Sequence, residues 1–285
     1  MAELVESVQE VRRAIATARA IGKRIGLVPT MGALHDGHVR LIADCRAEAG
    51  LVVVSIFVNP TQFGPGEDFE RYPRPLDDDL ERCEAAGAAL VFAPTTATVY
   101  PHGSRSTFVE VAGLSDILEG ASRPGHFRGV ATVVLKLFEI VQPDLAIFGQ
   151  KDYQQQLLIR RMVEDLHVPV EVHTRPTVRE PDGLALSSRN RYLNPQERQA
   201  ATVLHRALEQ ASRAVAGGER RGDRVRQILR ETLESEQLVR IDYAEVADAD
   251  TLAPLDDLEA GRRAVALVAA RVGTTRLIDN AVLEE

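Results

Sequence analysis

The sequence contains no hydrophobic run long enough to cross a lipid bilayer. Its longest nearly uninterrupted apolar stretches, residues 51–58 and 264–270, fall far short of the roughly 20 residues that a membrane-spanning helix needs. The first residues carry acidic rather than basic side chains and lead into no long apolar segment, a pattern that is not typical of a secretory signal. These absences predict a cytoplasmic protein with no membrane partner.

Cysteine is scarce, and positive charge is in deficit. The two cysteines, Cys45 and Cys83, lie far apart and match no metal-binding spacing, so we expect reduced thiols within helices.

Lysine and arginine total 34 against 42 aspartates and glutamates, which gives a net charge of −8. Proteins that bind nucleic acids normally present a basic face that neutralises phosphates. The composition therefore argues against a nucleic acid as partner.

The chain does contain enough apolar sequence for a folded protein of two domains. Of its 285 residues, 45% are hydrophobic and 27% are charged, values typical of globular rather than disordered chains. Helical and strand patterns alternate up to about residue 178. The predicted helices cover residues 3–20, 38–48, 76–86, 129–141 and 153–166, and the predicted strands residues 24–29, 51–58, 90–93 and 145–148. This alternation predicts an α/β domain over residues 1–178, with a parallel sheet whose strand ends form a ligand-binding edge.

The remaining residues, 179–285, have a different pattern. Two helices are predicted over residues 195–216 and 223–236, and three short strands over residues 241–246, 264–270 and 275–278. Helices followed by strands are typical of an α+β domain. The sequence therefore predicts a second, smaller domain over residues 179–285.

The segment over residues 28–38 carries the most functional information, because it runs from a strand into a helix through His35-Asp36-Gly37-His38. Gly32 and Gly37 let the backbone approach a ligand closely. The free N–H groups of the following helix suit a phosphate, to which His35 and His38 can donate further hydrogen bonds. Two alternatives remain open for this motif alone: a zinc site, although no third ligand is evident, and histidines that only cap a turn.

Two later segments fit the same chemistry. Lys151 follows the predicted strand over residues 145–148, a position from which a lysine can reach a phosphate. Ser187, Ser188 and Arg189 offer two hydroxyls and a guanidinium in a loop. Each segment taken alone has a plainer interpretation, as a solvated loop residue or as a surface turn.

These segments carry a resemblance to known enzymes. The His35-Asp36-Gly37-His38 segment resembles the His-x-Gly-His signature of the nucleotidyltransferase superfamily, in which both histidines contact the phosphates of ATP. The serine–arginine segment resembles the mobile Lys-Met-Ser-Lys-Ser loop of related enzymes. Motifs along nearly the whole chain resemble the pantothenate synthetase family. Those motifs cover residues 29–38, 57–63, 71–74, 125–129, 151–155, 182–190 and 275–280.

The family resemblance implies that pantoate is joined to β-alanine with ATP to give pantothenate, AMP and pyrophosphate, in pantothenate and coenzyme A biosynthesis. It also implies a Rossmann-like N-terminal domain, a smaller C-terminal lid domain and a homodimer. Carried over by position, it makes His38 a proton donor and His35 and Lys151 catalytic, and it places Gln62 on pantoate and β-alanine and Gln155 on pantoate. The residues implied to bind ATP are Met31, Gly32, Ala33, Leu34, His35, Asp36, Gly37, His38, Gly149, Gln150, Lys151, Asp152, Val178, Leu186, Ser187, Ser188 and Arg189.

The residues themselves agree with that chemistry. A carboxylate becomes reactive towards an amine after it attacks the α-phosphorus of ATP, a step that needs positive charge and hydrogen bonds rather than a covalent nucleophile. We expect Mg²⁺ with the ATP, and its ligands stay open, because residues 77–79 suit an acidic helix start better than a metal site.

Two points remain open at this stage. Gln150 stands where the family usually has a glutamate, which puts in doubt any ionic role at that position. The alternatives to the ligase are another ligase or nucleotidyltransferase of the same superfamily and a nucleotide-sensing protein without catalysis. The presence of His38, Lys151 and Arg189 together counts against the sensor.

Overall fold

The computed structural model of the chain describes residues 2–103 and 106–283. Contacts within these residues divide them into two compact units. The first unit runs up to Gly149 and resumes over Gln155–Arg175, and the second holds Gln150–Gln154 and the described residues from Pro176 onward. The described residues form a six-stranded sheet in the first unit and a three-stranded sheet in the second.

The sheet of the first unit is parallel throughout and has the strand order β1-β4-β3-β2-β5-β6. Its strands are β1 (Glu3–Val5), β2 (Ile25–Thr30), β3 (Leu51–Ile56), β4 (Leu90–Phe92), β5 (Leu145–Gly149) and β6 (Glu171–Arg175). The helices along this part of the chain are α1 (Val8–Ala20), α2 (Asp36–Glu48), α3 (Leu76–Ala85), α4 (Thr96–Val99), α5 (Glu119–Ser122), α6 (His126–Val141) and α7 (Tyr153–Asp165). The predicted Rossmann-like α/β fold is confirmed.

The central strands are buried because their sequences are apolar on both faces. In β3 the four inner residues have no more than a trace of exposed surface, and β5 is buried over its first four residues. Helix α6 presents one continuous apolar face, including Val130, Val134 and Leu137, to this core. Strands that bury both faces are typical of a parallel sheet covered by helices.

The strand order creates a switch point between β2 and β5. From β2 the chain proceeds outward through β3 and β4, and it then returns to the other side of β2 as β5. Loops that leave the carboxyl ends of two such strands diverge, and the crevice between them is where open α/β sheets bind ligands. The loop after β2 contains His35 and His38, so the topology places them at this crevice.

The second unit packs two amphipathic helices on an antiparallel sheet. Apolar residues recur every three or four positions in its longer helices, including Leu204, Leu208, Val225 and Leu229, and they are fully buried against strand residues such as Val268. Its helices are α8 (Pro195–Ala200), α9 (Val203–Ala216) and α10 (Gly222–Glu234), and its strands, in the order β7-β8-β9, are β7 (Val239–Asp248), β8 (Ala264–Val272) and β9 (Thr275–Leu283). The predicted α+β class of this part is confirmed.

The structure corrects several element boundaries. Residues 3–5 form an edge strand instead of the start of α1, and β6 was not predicted. The helix expected over residues 195–216 is divided into α8 and α9. None of the helices in the described residues is both long enough and apolar enough to cross a bilayer.

Both cysteines lie inside helices with reduced, buried thiols, as expected. Cys45 is in α2 and Cys83 is in α3, and neither forms a disulfide. Burial raises the pKa of each thiol to about 12. The negative charge of a nearby carboxylate, Glu48 for Cys45 and Asp79 for Cys83, adds to this rise. Thiols of this kind are chemically inert near neutral pH.

Candidate active site

The loop after β2 leads into α2 two residues earlier than the sequence predicts. Helix α2 begins at Asp36, with His35 as its N-cap and His38 as its third residue. The two histidines therefore form the first turn of the helix itself rather than a loop before it. Backbone N–H groups and the positive end of the helix dipole lie in this same turn, an arrangement that suits an anion.

The backbone contacts of the two imidazoles indicate which nitrogen of each ring accepts a hydrogen bond. The backbone N–H of Gly37 donates to Nδ1 of His35 (3.2 Å), and the backbone N–H of His35 donates to Nδ1 of His38 (3.3 Å). An Nδ1 that accepts a hydrogen bond leaves the proton of a neutral ring on Nε2. The two ring centroids are 4.1 Å apart, a distance at which two positive rings would repel each other. The geometry thus favours two neutral rings with Nε2–H groups.

A buried carboxylate from α3 holds the loop that precedes the histidines. Ala33 has a left-handed backbone, with φ of 51°, which costs a residue with a Cβ roughly 1–2 kcal/mol. The carboxylate of Asp79 accepts the N–H groups of Ala33 (2.8 Å) and Leu34 (2.7 Å). Burial raises the pKa of Asp79, and these two hydrogen bonds offset part of that rise. A side chain at Gly32, where φ is also positive, would crowd the same carboxylate.

We expect Asp79→Asn to weaken ATP binding by about tenfold and to lower the free energy of unfolding by about 1–3 kcal/mol. The amide would turn an NH2 group towards a backbone N–H that now donates to a carboxylate oxygen. The matched control is Glu81→Gln, which removes one charge from an exposed position of the same helix. ATP titrations and urea unfolding of both variants test this, and equal effects from the two variants would contradict it.

Gln62 is almost fully buried and ends a short 3-10 turn, Pro60–Gln62, that follows β3. Nδ2 of the buried Asn59 donates to Oε1 of Gln62 (2.9 Å) and to the carbonyl oxygen of Gly129 (3.1 Å). The backbone N–H of Thr61 donates to Oδ1 of Asn59 (3.3 Å), which fixes the orientation of that amide. Since Oε1 of Gln62 already accepts a bond, its Nε2 hydrogens are the donors that suit a carboxylate. Nε2 lies 4.0 Å from the sulfur of Met31, so two predicted site residues are neighbours.

The main chain of Gln62 is held by a second group of residues. Nδ1 of His126 donates to the carbonyl oxygen of Gln62 (2.8 Å), and Arg123 donates to the same oxygen (3.2 Å) and to Nε2 of His126 (3.1 Å). The carboxylate of Glu67 accepts two hydrogen bonds from Arg123, at 2.7 and 2.6 Å. A guanidinium can only donate, so Nε2 of His126 accepts and the ring is neutral.

We expect the stability of the protein to fall between pH 6.5 and pH 4 because of His126. Burial, and then the charge of Arg123, lowers the pKa of His126 from 6.5 to about 4. In that window the unfolded chain takes up a proton that the native state does not bind, so unfolding becomes more favourable as the pH falls. The contribution is at most about 3.5 kcal/mol, from ~1.4 kcal/mol for each pKa unit.

Urea unfolding at several pH values, for the wild type and His126→Asn, measures this contribution. Asparagine keeps a donor near Nδ1 and does not titrate, so the variant should lose less stability as the pH falls. The same pH slope in both proteins would show that His126 is not responsible.

Several predicted ATP-binding residues fall in the second unit. The backbone N–H of Leu186 donates to the carbonyl oxygen of Val178 (3.0 Å), so these two segments are brought together. Ser187 caps a 3-10 helix, Ser188–Tyr192, by accepting the N–H of Arg189 (3.3 Å). The amide of Asn280 in β9 contacts the carbonyl oxygens of Gln150 and Lys151.

The predicted residues thus fall into two groups, one in each unit. Residues 31–38, Gln62, Gly149 and Gln155 belong to the first unit, while residues 150–152, Val178 and residues 186–189 belong to the second. Their roles towards ATP and substrates stay predictions. No cluster of three or more histidine, cysteine, aspartate or glutamate side chains suited to a metal ion occurs in the described residues.

Sequence reasoning did not assign a role to Asp79, Asn59, His126 or Asn280, which position the predicted residues. The sequence places Asp79 correctly in the acidic first turn of α3 but does not show that its carboxylate reaches the loop after β2. The other three lie inside motifs that carried the family resemblance, which is the signal that could have marked them.

The fold and the site together define the class of the protein. The sheet is Rossmann-like, and its central strand leads into a helix that starts with the His-x-Gly-His motif at the switch point of the sheet. This is the arrangement of the nucleotidyltransferase superfamily that the sequence resembles.

The comparison with known proteins identifies the family. The family model for pantoate-beta-alanine ligase matches residues 3–282, and the chain belongs to this family of ligases. The pantothenate synthetase of Moorella thermoacetica is 56% identical over 282 residues, which cover 99% of each chain. The predicted family is confirmed.

Solved structures agree in sequence and in fold. The crystal structure of pantothenate synthetase from Thermus thermophilus is 48% identical, with a TM-score of 0.93 over 99% of this chain and 100% of that one. The pantoate-beta-alanine ligase of Francisella tularensis, complexed with beta-gamma ATP and β-alanine, is 32% identical with a TM-score of 0.81, over 100% of this chain and 99% of that one. These similarities support the ligase over another member of the superfamily.

Proposed function

We propose that this chain condenses pantoate with β-alanine at the expense of ATP, giving pantothenate, AMP and pyrophosphate through a pantoyl adenylate. The observation that carries the proposal is the helix start at His35 and His38, at the switch point of the sheet, in a member of the pantoate-beta-alanine ligase family. The reaction supplies pantothenate for coenzyme A biosynthesis.

In the first step, a carboxylate oxygen of pantoate attacks the α-phosphorus of ATP, and pyrophosphate leaves. Negative charge grows on the phosphate oxygens during this step, so directed donors accelerate it without a covalent enzyme intermediate. His35 and His38 supply neutral Nε2–H donors at the N-terminus of α2. Lys151, with Ser187, Ser188 and Arg189, supplies the remaining donors and positive charge in this proposal.

In the second step, the amine of β-alanine attacks the carbonyl carbon, and AMP leaves with one carboxylate oxygen of pantoate. This step depends mainly on holding the amine against the activated carbonyl. The buried Nε2 group of Gln62 is suited to carboxylates of both substrates, and Gln155 is assigned to pantoate. The crystal structure of the Francisella ligase with β-alanine supports a β-alanine site in this family.

Magnesium, subunit structure and location complete the proposal. Both carboxylate oxygens of Asp79 accept backbone N–H groups, so residues 77–79 do not provide a ready metal cage. We infer that Mg²⁺ arrives as the ATP complex, held by phosphates and water.

The family resemblance supports a homodimer, and the use of ATP supports a location in the cytoplasm. Residues 1–178 then bind nucleotide and pantoate, and residues 179–285 serve as the lid.

The test is to separate the two partial reactions. Enzyme with ATP, magnesium and pantoate should exchange labelled pyrophosphate into ATP in the absence of β-alanine. Adding β-alanine should then release AMP and form the amide in equal amounts. Release of ADP, or exchange that requires β-alanine from the start, would reject the adenylate mechanism.

A further inference from the structure

Asn280 holds the segment that carries Lys151. Its side chain is buried in β9, with 3% exposed surface. Nδ2 donates to the carbonyl oxygens of Gln150 and Lys151, both at 2.9 Å, and Oδ1 accepts from Nε2 of Gln150 at 3.3 Å. Because carbonyl oxygens can only accept, the orientation of this amide is fixed. A carboxylate at this position could still accept from Nε2 of Gln150, but it would lose both bonds that Nδ2 donates to the carbonyl oxygens of Gln150 and Lys151.

The preceding residue of β9, Asp279, holds Arg179 beside the turn that leads into the serine–arginine loop. The carboxylate of Asp279 accepts two hydrogen bonds from Arg179, at 2.6 and 2.9 Å. Arg179 also donates to the carbonyl oxygen of Gly183 (3.0 Å) and pairs with Ala185 across the turn that leads into residues 186–189. Neighbouring side chains of a strand point to opposite faces. One short stretch of β9 therefore contacts the 150–151 segment directly through Asn280, and through Asp279 and Arg179 it reaches the turn that precedes residues 186–189.

The contacts of Asn280 also account for Gln150. With both N–H groups of Asn280 given to carbonyl oxygens, Oδ1 is the atom that faces Gln150, and it requires a donor. The amide of glutamine supplies one, whereas an ionised glutamate would present a second acceptor. The departure from the usual family residue is therefore compatible with this hydrogen-bond arrangement.

We propose that Asn280 is a positioning residue that sets the backbone of Lys151 for contact with the phosphates of ATP. The proposal rests on the proposed function, in which Lys151 binds ATP. A lysine side chain is long and flexible, so its reach depends on a fixed backbone. Lys151 lies two residues beyond the end of β5, and the hydrogen bonds from Asn280 supply that fixation.

The test is a double-mutant cycle between Asn280→Asp and Lys151→Ala. Asn280→Asp keeps the shape but turns a carboxylate oxygen towards two carbonyl oxygens. We expect it to raise KM for ATP by about tenfold in pyrophosphate exchange and to leave KM for pantoate within about twofold. In the Lys151→Ala background the same substitution should change the ATP kinetics by less than about twofold. Independent, multiplying effects would overturn the proposal, as would unchanged ATP kinetics in the single variant.

Thr232→Val is the matched control for general loosening of the second unit. Thr232 lies in α10, and its buried Oγ1 is 2.7 Å from Oε1 of Gln210 and 2.7 Å from the carbonyl oxygen of Ile228, so its single hydrogen is donated within this pair of oxygens. The variant should lower the melting temperature without changing KM for ATP. An equal rise in KM for ATP from Thr232→Val would overturn the positioning role.

A milder variant covers the case in which Asn280→Asp does not fold. Gln150→Met removes the 3.3 Å bond to Asn280 and should raise KM for ATP by about twofold to threefold. Because Gln150 is itself predicted to bind ATP, the variant is also measured in the Lys151→Ala background, where the positioning role predicts almost no further change and a direct ATP contact of Gln150 predicts the same rise. Unchanged ATP kinetics in this variant would then count against the proposal. The proposed function and the positioning role can fail separately. The proposed function is rejected if the wild-type enzyme shows no exchange activity. The positioning role alone is rejected if the wild type exchanges normally, Lys151→Ala is impaired and Asn280→Asp is unaffected.

Discussion

His38→Ala should lower kcat by about 10²–10³-fold while the protein stays folded, because it removes one donor that stabilises the reacting phosphate. His38 is partly exposed in the first turn of α2, so its removal leaves no cavity in the core. The loss of the bond from the N–H of His35 should cost only about 0.5–1.5 kcal/mol of stability. Turnover and melting temperature are measured on the same preparation.

Two conservative variants separate the two nitrogens of that ring. His38→Asn places an oxygen near Nδ1, so it should keep the bond to the N–H of His35 but not the activity. His38→Gln reaches towards Nε2 with an NH2 group and should recover part of kcat. Near wild-type turnover in His38→Ala, or equal activity in the Asn and Gln variants, would rule out the donor role.

Gln62→Ala should reduce kcat/KM for pantoate by about 10–100-fold, the effect of losing hydrogen bonds to a charged group. KM for ATP should stay within about twofold, because Gln62 follows β3 rather than the phosphate-binding loop. Asn59 keeps its bond to the carbonyl oxygen of Gly129, so the turn should remain in place. Steady-state kinetics with each substrate varied in turn distinguish the two effects.

Gln62→Glu is the sharper variant of this experiment. It preserves the size of the side chain but replaces the donating NH2 group by a negative oxygen, which should repel a carboxylate. We expect a larger loss of pantoate use than in Gln62→Ala. Equal weakening of pantoate and ATP in both variants would indicate a collapsed site instead of a lost contact.

The central strands and the histidine helix start could be predicted because their signals are local. An apolar run such as residues 51–58 has few alternatives to a buried strand, and glycine-containing turns mark the ends of elements. The first turn of α2 was assigned too late because Asp36 and Gly37 are weak helix formers. The structure shows that the side chain of His35 caps this turn, a role that propensity does not suggest for histidine.

The two edge strands could not be predicted from their local pattern. Leu4, Val8 and Val11 keep a helical spacing, although Ser7 and Glu10 form a capping box that begins α1 at Val8. Strand β6 is only half-buried and contains charged residues, so its assignment depends on pairing with β5. Such pairing joins distant residues and leaves no local trace.

The supporting contacts of the site were hidden for the same reason. Asp79 reaches a loop 45 positions earlier in the sequence, and Asn280 reaches a carbonyl oxygen 130 positions earlier. Read locally, Asp79 is an ordinary acidic residue at a helix start and Asn280 an ordinary polar residue in a strand. Nothing in their sequence neighbourhood points to a distant hydrogen-bond partner. Only the folded chain shows which backbone groups they satisfy.

The inert thiols of Cys45 and Cys83 make this chain suited to site-specific spectroscopic labelling. Maleimides and methanethiosulfonates react with thiolates, and groups with a pKa of about 12 supply almost none at neutral pH. A cysteine introduced on the surface, such as Ala216→Cys at the exposed end of α9, would have an ordinary pKa and would react alone. A fluorophore or nitroxide can therefore be attached with both native cysteines left in place.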